Sequence, residues 1–256
     1  MSPITRRRLI QFRANRRGFW SLWIFLGIFL ISLFAEGVAN DKPLLVIFED
    51  RLYFPVFETV LESEYGGEFT TEAEYRDDYV RELIENKGSI YWPLIRYSYD
   101  TINYNLPSAA PSFPTKENWI GTDDQGRDVV ARLIYGFRIS VIFGLVLTIL
   151  SSIVGVAAGA VQGYFGGRID ILGQRFIEIW SGLPVLFLLI ILSSFVEPNF
   201  WWLLLIMLLF SWMGLVGVVR AEFLRGRNLE YVRAARALGM SHIRIMSRHI
   251  LPNAMV

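Results

Sequence analysis

The chain has 256 residues, 53% of them hydrophobic and 15% aromatic, with a mean hydropathy of +0.38. That is more apolar content than a soluble domain of this length needs to fill a core. It contains no cysteine and two histidines, His242 and His249, which excludes disulfides, thiolate metal sites, cysteine nucleophiles and a histidine-rich metal centre.

The formal net charge of +1 conceals a strong segregation along the chain. Residues 1–18 carry six arginines and no acid. Phe19 to Ala35 (FWSLWIFLGIFLISLFA) is uncharged, short for a span of about 20 residues, and anchored by Trp20 and Trp23. Its apolar part is longer than the core of a signal peptide, and FAEGVAN matches a cleavage site only loosely, so it reads as an uncleaved anchor. Residues 36–132 hold nineteen acidic residues against nine basic ones, many aromatics and turn signals such as Gly66-Gly67. They read as a small, partly ordered insertion, the plainer alternative being a solvated acidic loop. LPSAAPSFPT, Leu106 to Thr115, reads as extended linker.

From Asn118 to Ser140 the sequence is NWIGTDDQGRDVVARLIYGFRIS. Thr122, Asp123 and Asp124 are N-cap types, and Val129, Leu133, Ile134 and Phe137 recur at near-helical spacing. The pattern predicts an amphipathic helix on the outer membrane surface, closing an insertion that spans 36–137. Asp123, Asp124 and Asp128 lack the spacing and glycine placement of a calcium loop, so no metal site is assigned to them. Three further spans are expected at about 139–161, 177–196 and 200–219. The span at 177–196 contains Glu178 and Pro184, and a short loop, Gln162 to Arg175, precedes it. The span serines and threonines, Thr148, Ser151, Ser152, Ser193, Ser194 and Ser211, are expected to bond back to their own helices.

Residues 220–249 carry seven arginines against Glu222 and Glu230. The positive-inside rule puts residues 1–18, the loop with Arg168 and Arg175, and residues 220–249 in the cytoplasm, and the acidic segment outside. Four crossings satisfy this alternation. The resulting fold class is an all-α polytopic membrane protein with an extracytoplasmic insertion after its first span.

The last stretch, EYVRAARALGMSHIRIMSRHILPN, predicts a helical elbow. Tyr231, Ala234, Ala235 and Leu238 form one narrow face, and Gly239 stands where a helix C-cap tolerates positive φ. Ser241 can cap a second short helix with Ile243, Met246 and Ile250 on its apolar face, and Pro252 suits the start of the next segment. By spacing alone, lipid contact and docking to a partner protein stay open; nucleic-acid binding is set aside for two short helices tethered to a bilayer.

The elbow resembles the EAA loop of ABC importer permeases: E-A-A, three residues, Gly, nine residues, then I-x-L-P. Arg233, Ala234 and Ala235 stand at the first three places, Gly239 at the fourth, His249 at the isoleucine position, and Leu251 and Pro252 close the pattern. Arg233 and His249 are departures, and Leu238 lies within the loop. GTDDQGRDVVARLIYGFRIS resembles the pre-span motif of the dipeptide, oligopeptide and nickel permease group. Gly121, Thr122, Asp123, Gly126, Arg127, Asp128, Arg132, Gly136, Arg138 and Ser140 are in place, and Ala131 replaces a serine. GYFGGRIDILGQR is similar to that group's glycine-rich loop between spans, and the outer segment resembles Yej-type peptide and microcin C permeases.

The resemblance implies a type I ABC importer transmembrane fold in the bacterial inner membrane. The elbow would sit in a cleft of a cytoplasmic ATPase subunit, and a homologous permease would complete the path. Substrate would come from a periplasmic binding protein: oligopeptides or peptide-like compounds, with nickel or another small solute as the alternative. No cofactor is expected on this chain, and ATP and Mg would belong to the ATPase. The chain has no G-x-x-x-x-G-K-[ST] loop, and its lysines, Lys42, Lys87 and Lys116, all lie in the outer segment, so it is not read as an enzyme. Glu178 is read as an interface-level carboxylate rather than a gate. Family members continue with two more spans, so a truncated product or fragment is expected. A membrane-anchored sensor and an integral membrane hydrolase are the readings from other classes.

Overall fold

The computed structural model describes residues 3–197 and 199–254. It falls into two compact units, residues 1–141 and 142–256.

In the first unit, helices α1 (Pro3–Ala14) and α2 (Arg16–Leu33) are followed by a single turn, α3 (Ala35–Val38). Asn15 caps α2, its side-chain oxygen accepting from the Gly18 N–H at 3.2 Å. The acidic insertion then forms a three-stranded antiparallel sheet, which residue patterning does not indicate. Strands β1 (Leu45–Phe48), β2 (Arg51–Tyr53) and β3 (Gly88–Tyr91) are ordered β2-β1-β3. The β1–β2 hairpin closes on Glu49 and Asp50, both at positive φ (47° and 60°), the primed turn that matches strand twist. Helix α4 (Asp78–Glu85) starts on Asp77, whose carboxylate accepts from the Tyr79 N–H at 2.9 Å. Val80 and Ile84, one turn apart, lay α4 over Val46, Phe48, Tyr65 and Tyr75 to make a closed core. The insertion is therefore an ordered small domain and not a solvated loop.

A second cluster in this unit joins Ala35 and Ala39 to Ile95, Tyr97, Ala131 and Tyr135. The Tyr135 hydroxyl donates to the Ala39 carbonyl at 2.9 Å, and Arg138 holds both oxygens of Glu36 at 2.8 and 2.9 Å.

Helix α5 runs unbroken from Val129 to Phe165, 37 residues. The separate surface helix expected before the second span is the start of this one. Its inward face there is Ala131 and Tyr135, while Leu133 is 58% exposed. In a helix that continues into lipid, large apolar residues do not mark the protein-facing side.

The second unit continues with α6 (Gly167–Ser181) and α7 (Val185–Ser193). The loop expected over 162–175 shrinks to Gly166 alone, at φ +65°, a conformation that lets α6 begin one residue later. The third span is not straight: α6 and α7 bend by 62° at Gly182-Leu183-Pro184, where proline removes a backbone donor and opposes helix at the residue before it. Helices α8 (Phe200–Ser211) and α9 (Met213–Gly226) form one 27-residue span, with Trp212 between them. The elbow comes next as α10 (Glu230–Ala237), α11 (His242–Ile245), a π-helical turn at Met246–Ile250 and α12 (Leu251–Ala254). The π turn lies just before Pro252, which cannot donate to the helix and whose ring would crowd residue 248. Among the described residues, three helices are long and apolar enough to cross a membrane, or four with the bent pair counted as one span.

Candidate functional site

Two constructions hold the motif residues. The first is a clasp at the start of α5. Asp123 is its hub: its carboxylate accepts from the backbone N–H groups of Gln125 and Arg127, both at 2.9 Å, from the Arg127 side chain at 2.8 Å, and from Arg132. Burial opposes ionisation of Asp123, but these donors outweigh it and hold the carboxyl well below the usual range. Gly121 and Gly126 adopt φ of +88° and +82°, and a Cβ on Gly121 would strike the Ser112 carbonyl. Thr122 pairs with Ser112 through its N–H at 3.1 Å and its hydroxyl at 3.0 Å.

The helix N-cap is not among Thr122–Asp124. Asp128 supplies it, accepting from the Ala131 N–H at 2.7 Å, and its other oxygen takes the Asn118 amide at 2.9 Å. Asn118 in turn accepts from Asn103 at 2.9 Å, and both Asn118 and Asp128 are 1% exposed. Arg138 engages Glu36 and lies 5.0 Å over Tyr135. Gly136 has nothing near it and takes no part.

The second construction is the elbow. Helix α10 ends in a Schellman motif: the Gly239 N–H donates to Arg236 at 3.0 Å and the Met240 N–H to Ala235 at 3.2 Å, with Gly239 at φ +75°. Val232, Ala235, Ile245 and Ile250 pack on Ala160 and Tyr164 of α5 and Phe223 of α9. Gly226 lets Ile250 approach, since a Cβ there would lie 2.9 Å from it. The Tyr164 hydroxyl lies 2.9 Å from His242 Nδ1, and the Arg236 guanidinium sits 5.3 Å over the Tyr164 ring.

The faces differ from those drawn from spacing. Tyr231, Leu238 and Ile243 point outward, Leu238 83% and Ile243 75% exposed, while Val232 and Ile245 are buried. Of the EAA-like positions, Arg233, Ala234, Leu238, Gly239 and Pro252 are exposed. Ala235 is buried and Leu251 half-buried against the elbow's apolar cluster, and His249 is half-buried. Arg220 pairs with Asp170 (2.6 Å for one of the two bonds) and Arg225 with Glu222 at 3.9 Å. Arg233, Arg244 and Arg248 make no ion pair among the described residues.

Beneath the elbow, α5 and the last span meet along a stripe of glycines. Gly155, Gly159 and Gly163 recur every four residues on α5, and a Cβ at each would meet the carbonyl of Trp212, Val216 or Arg220 at 2.6, 2.8 or 2.5 Å. Those carbonyls also recur every four residues, so the two spans touch backbone to backbone. The GVAAGAVQG spacing was the available signal. Ser151, Ser193, Ser194 and Ser211 donate back to their own helices at 2.6–3.3 Å. Glu178 is exposed and paired with Arg175 at 2.7 Å.

Apolar helices long enough to cross a membrane, ending in a basic elbow braced on the tails of two of them, define a polytopic membrane protein with one helical elbow outside its spans. The family described as binding-protein-dependent transport system inner membrane component matches residues 151–256. The chain is 56% identical over 256 residues to the inner membrane ABC transporter permease protein YejE of Escherichia coli K12, covering all of this chain and 75% of that protein. It is 53% identical over 279 residues to the peptidoglycan transport system permease protein YejE of Agrobacterium fabrum C58, covering all of this chain and 73% of that one. With the dipeptide transport system permease protein DppC of Bacillus subtilis 168 it shares 38% over 151 residues, 59% of this chain and 45% of that protein. The chain belongs to the family of inner-membrane permease components of binding-protein-dependent ABC transport systems. It is thus a multi-pass membrane transport component.

Proposed function

We propose that this chain conducts oligopeptides or peptide-like compounds delivered by a periplasmic binding protein, and that its elbow docks in a cleft of a cytoplasmic ATPase subunit. ATP and Mg would be held by that ATPase, and a homologous permease would complete the path. The N-terminus and the elbow lie in the cytoplasm, as six arginines before the first span and seven over 220–249 favour. Peptide cargo is supported by relatives named for peptidoglycan and dipeptide transport.

The observation that carries the docking is the two-sidedness of the elbow. One face is fully buried on α5 and α9, and the other presents Leu238 and Ile243 beside arginines without an ion pair among the described residues. An apolar cleft with an acidic rim on a partner fits that face. Co-purification with the ATPase tests it. Leu238→Asp with Ile243→Asp should insert and melt like wild type yet lose the ATPase; retention of the ATPase by the double variant would overturn the docking surface.

A further inference from the structure

The outer domain contains a cavity of about 620 Å³, within the roughly 300–1,000 Å³ range of small-ligand sites. Its charge runs against that of its segment. Residues 36–132 are strongly acidic, yet Arg76, Arg81, Arg96 and Lys116 all line this one cavity, with Trp92 and Trp119. Of the five basic side chains elsewhere in the segment, four are consumed by ion pairs, Lys42 with Glu72, Lys87 with Glu49, and Arg127 and Arg132 with Asp123, and Arg51 on strand β2 makes no ion pair among the described residues.

Within the cavity the acids are themselves occupied. Asp78 takes Arg81 at 2.5 Å, and Glu117 accepts from the Tyr97 hydroxyl at 3.0 Å. Among the described residues Arg76, Arg96 and Lys116 have no ion-pair partner. Two of them are instead fixed against rings, Arg76 at 4.1 Å over Tyr97 and Arg96 at 5.3 Å over Trp92, and Arg76 also donates to the Arg96 carbonyl at 3.2 Å. Rings position guanidinium groups without consuming their N–H donors, so the Arg96 fork and the Arg76 N–H groups not bonded to the Arg96 carbonyl remain for an oxyanion. The Trp119 side chain, half-exposed at the rim, offers a flat surface for an apolar group.

We infer that this cavity binds a small carboxylate ligand that also carries a planar or apolar group. The forks of Arg76 and Arg96 and the ammonium of Lys116 hold the carboxylate, and Trp92 and Trp119 hold the rest. The site is separate from the elbow and does not depend on the ATPase reading.

The test is titration of hippurate, a ring-bearing carboxylate, into the purified full chain in phosphatidylcholine nanodiscs, whose lipid supplies no net charge. The neutral amide, hippuramide, is the control. Saturable hippurate binding with Kd on the order of 1 mM is expected, and hippuramide should bind at least about tenfold more weakly. Arg96→Gln with Lys116→Gln changes two exposed side chains and leaves the Arg76–Tyr97 contact in place. It should weaken hippurate about tenfold at unchanged thermal stability. Equal binding of the amide, no hippurate binding, or an unaltered Kd in this double variant would each overturn the assignment.

Discussion

Asp123 and Asp128 stand five residues apart in one motif and do different work. Asp128 is a buried cap with a second duty to Asn118, so Asp128→Ala removes the bond to Ala131 and strands a buried amide. The expected cost is about 1–3 kcal/mol, read as a lower thermal midpoint of the detergent-solubilised protein. Asp123 is the charged hub. Its folded carboxyl is depressed, so the stability it confers is present above the unfolded pKa, about 4, and is lost as pH falls through the lower folded value. Asp123→Asn keeps an acceptor without the charge. The gap in melting temperature between wild type and this variant should be constant at neutral pH and narrow below about pH 4. A gap that widens on acidification would contradict the ion-pair assignment. The sequence announced that these acids mattered but not which one capped the helix: Thr122, Asp123 and Asp124 are all good cap types, and only the two positive-φ glycines show that the chain turns twice before α5 begins.

At the scale of elements, the spans are held by what is missing from them. Where Gly155, Gly159 and Gly163 meet Trp212 and α9, even one methyl group collides with backbone. Gly159→Ala should therefore cost about 1–3 kcal/mol through overpacking, whereas Gly144→Ala on the same helix, with nothing within 4 Å, should be neutral or stabilising by about 0.5–1 kcal/mol. Parallel thermal melts in one detergent check this. The long apolar runs made the spans legible, because about 20 such residues have few other uses. Which face turned inward was not legible. Spacing assigns Leu133, Leu238 and Ile243 to the core, but beside a bilayer apolar residues are also used outward, and Ala131, Ala235 and glycine mark the contacts. The bend at Gly182-Leu183-Pro184 was signalled by its proline but not its angle, and the Glu49-Asp50 hairpin by nothing stronger than two residues that rarely occupy positive φ.

For the whole molecule, the docking proposed above would let a partner's motion enter the spans at the elbow. Its inner face is continuous through Tyr164 and Phe223 with α5 and α9, the two helices locked by the glycine stripe. A push on Leu238 would thus be carried by packed elements rather than absorbed by a loop. Because the chain has no cysteine, Leu238→Cys provides a unique handle. The measurement to make is maleimide cross-linking of Leu238→Cys to a cysteine placed in the ATPase cleft of the assembled transporter, with buried Val232→Cys as the control. A specific cross-link is expected from position 238 and not from 232, with a yield that changes when ATP is added. Failure of position 238 to cross-link in an intact assembly, or equal yields from both positions, would contradict the claim.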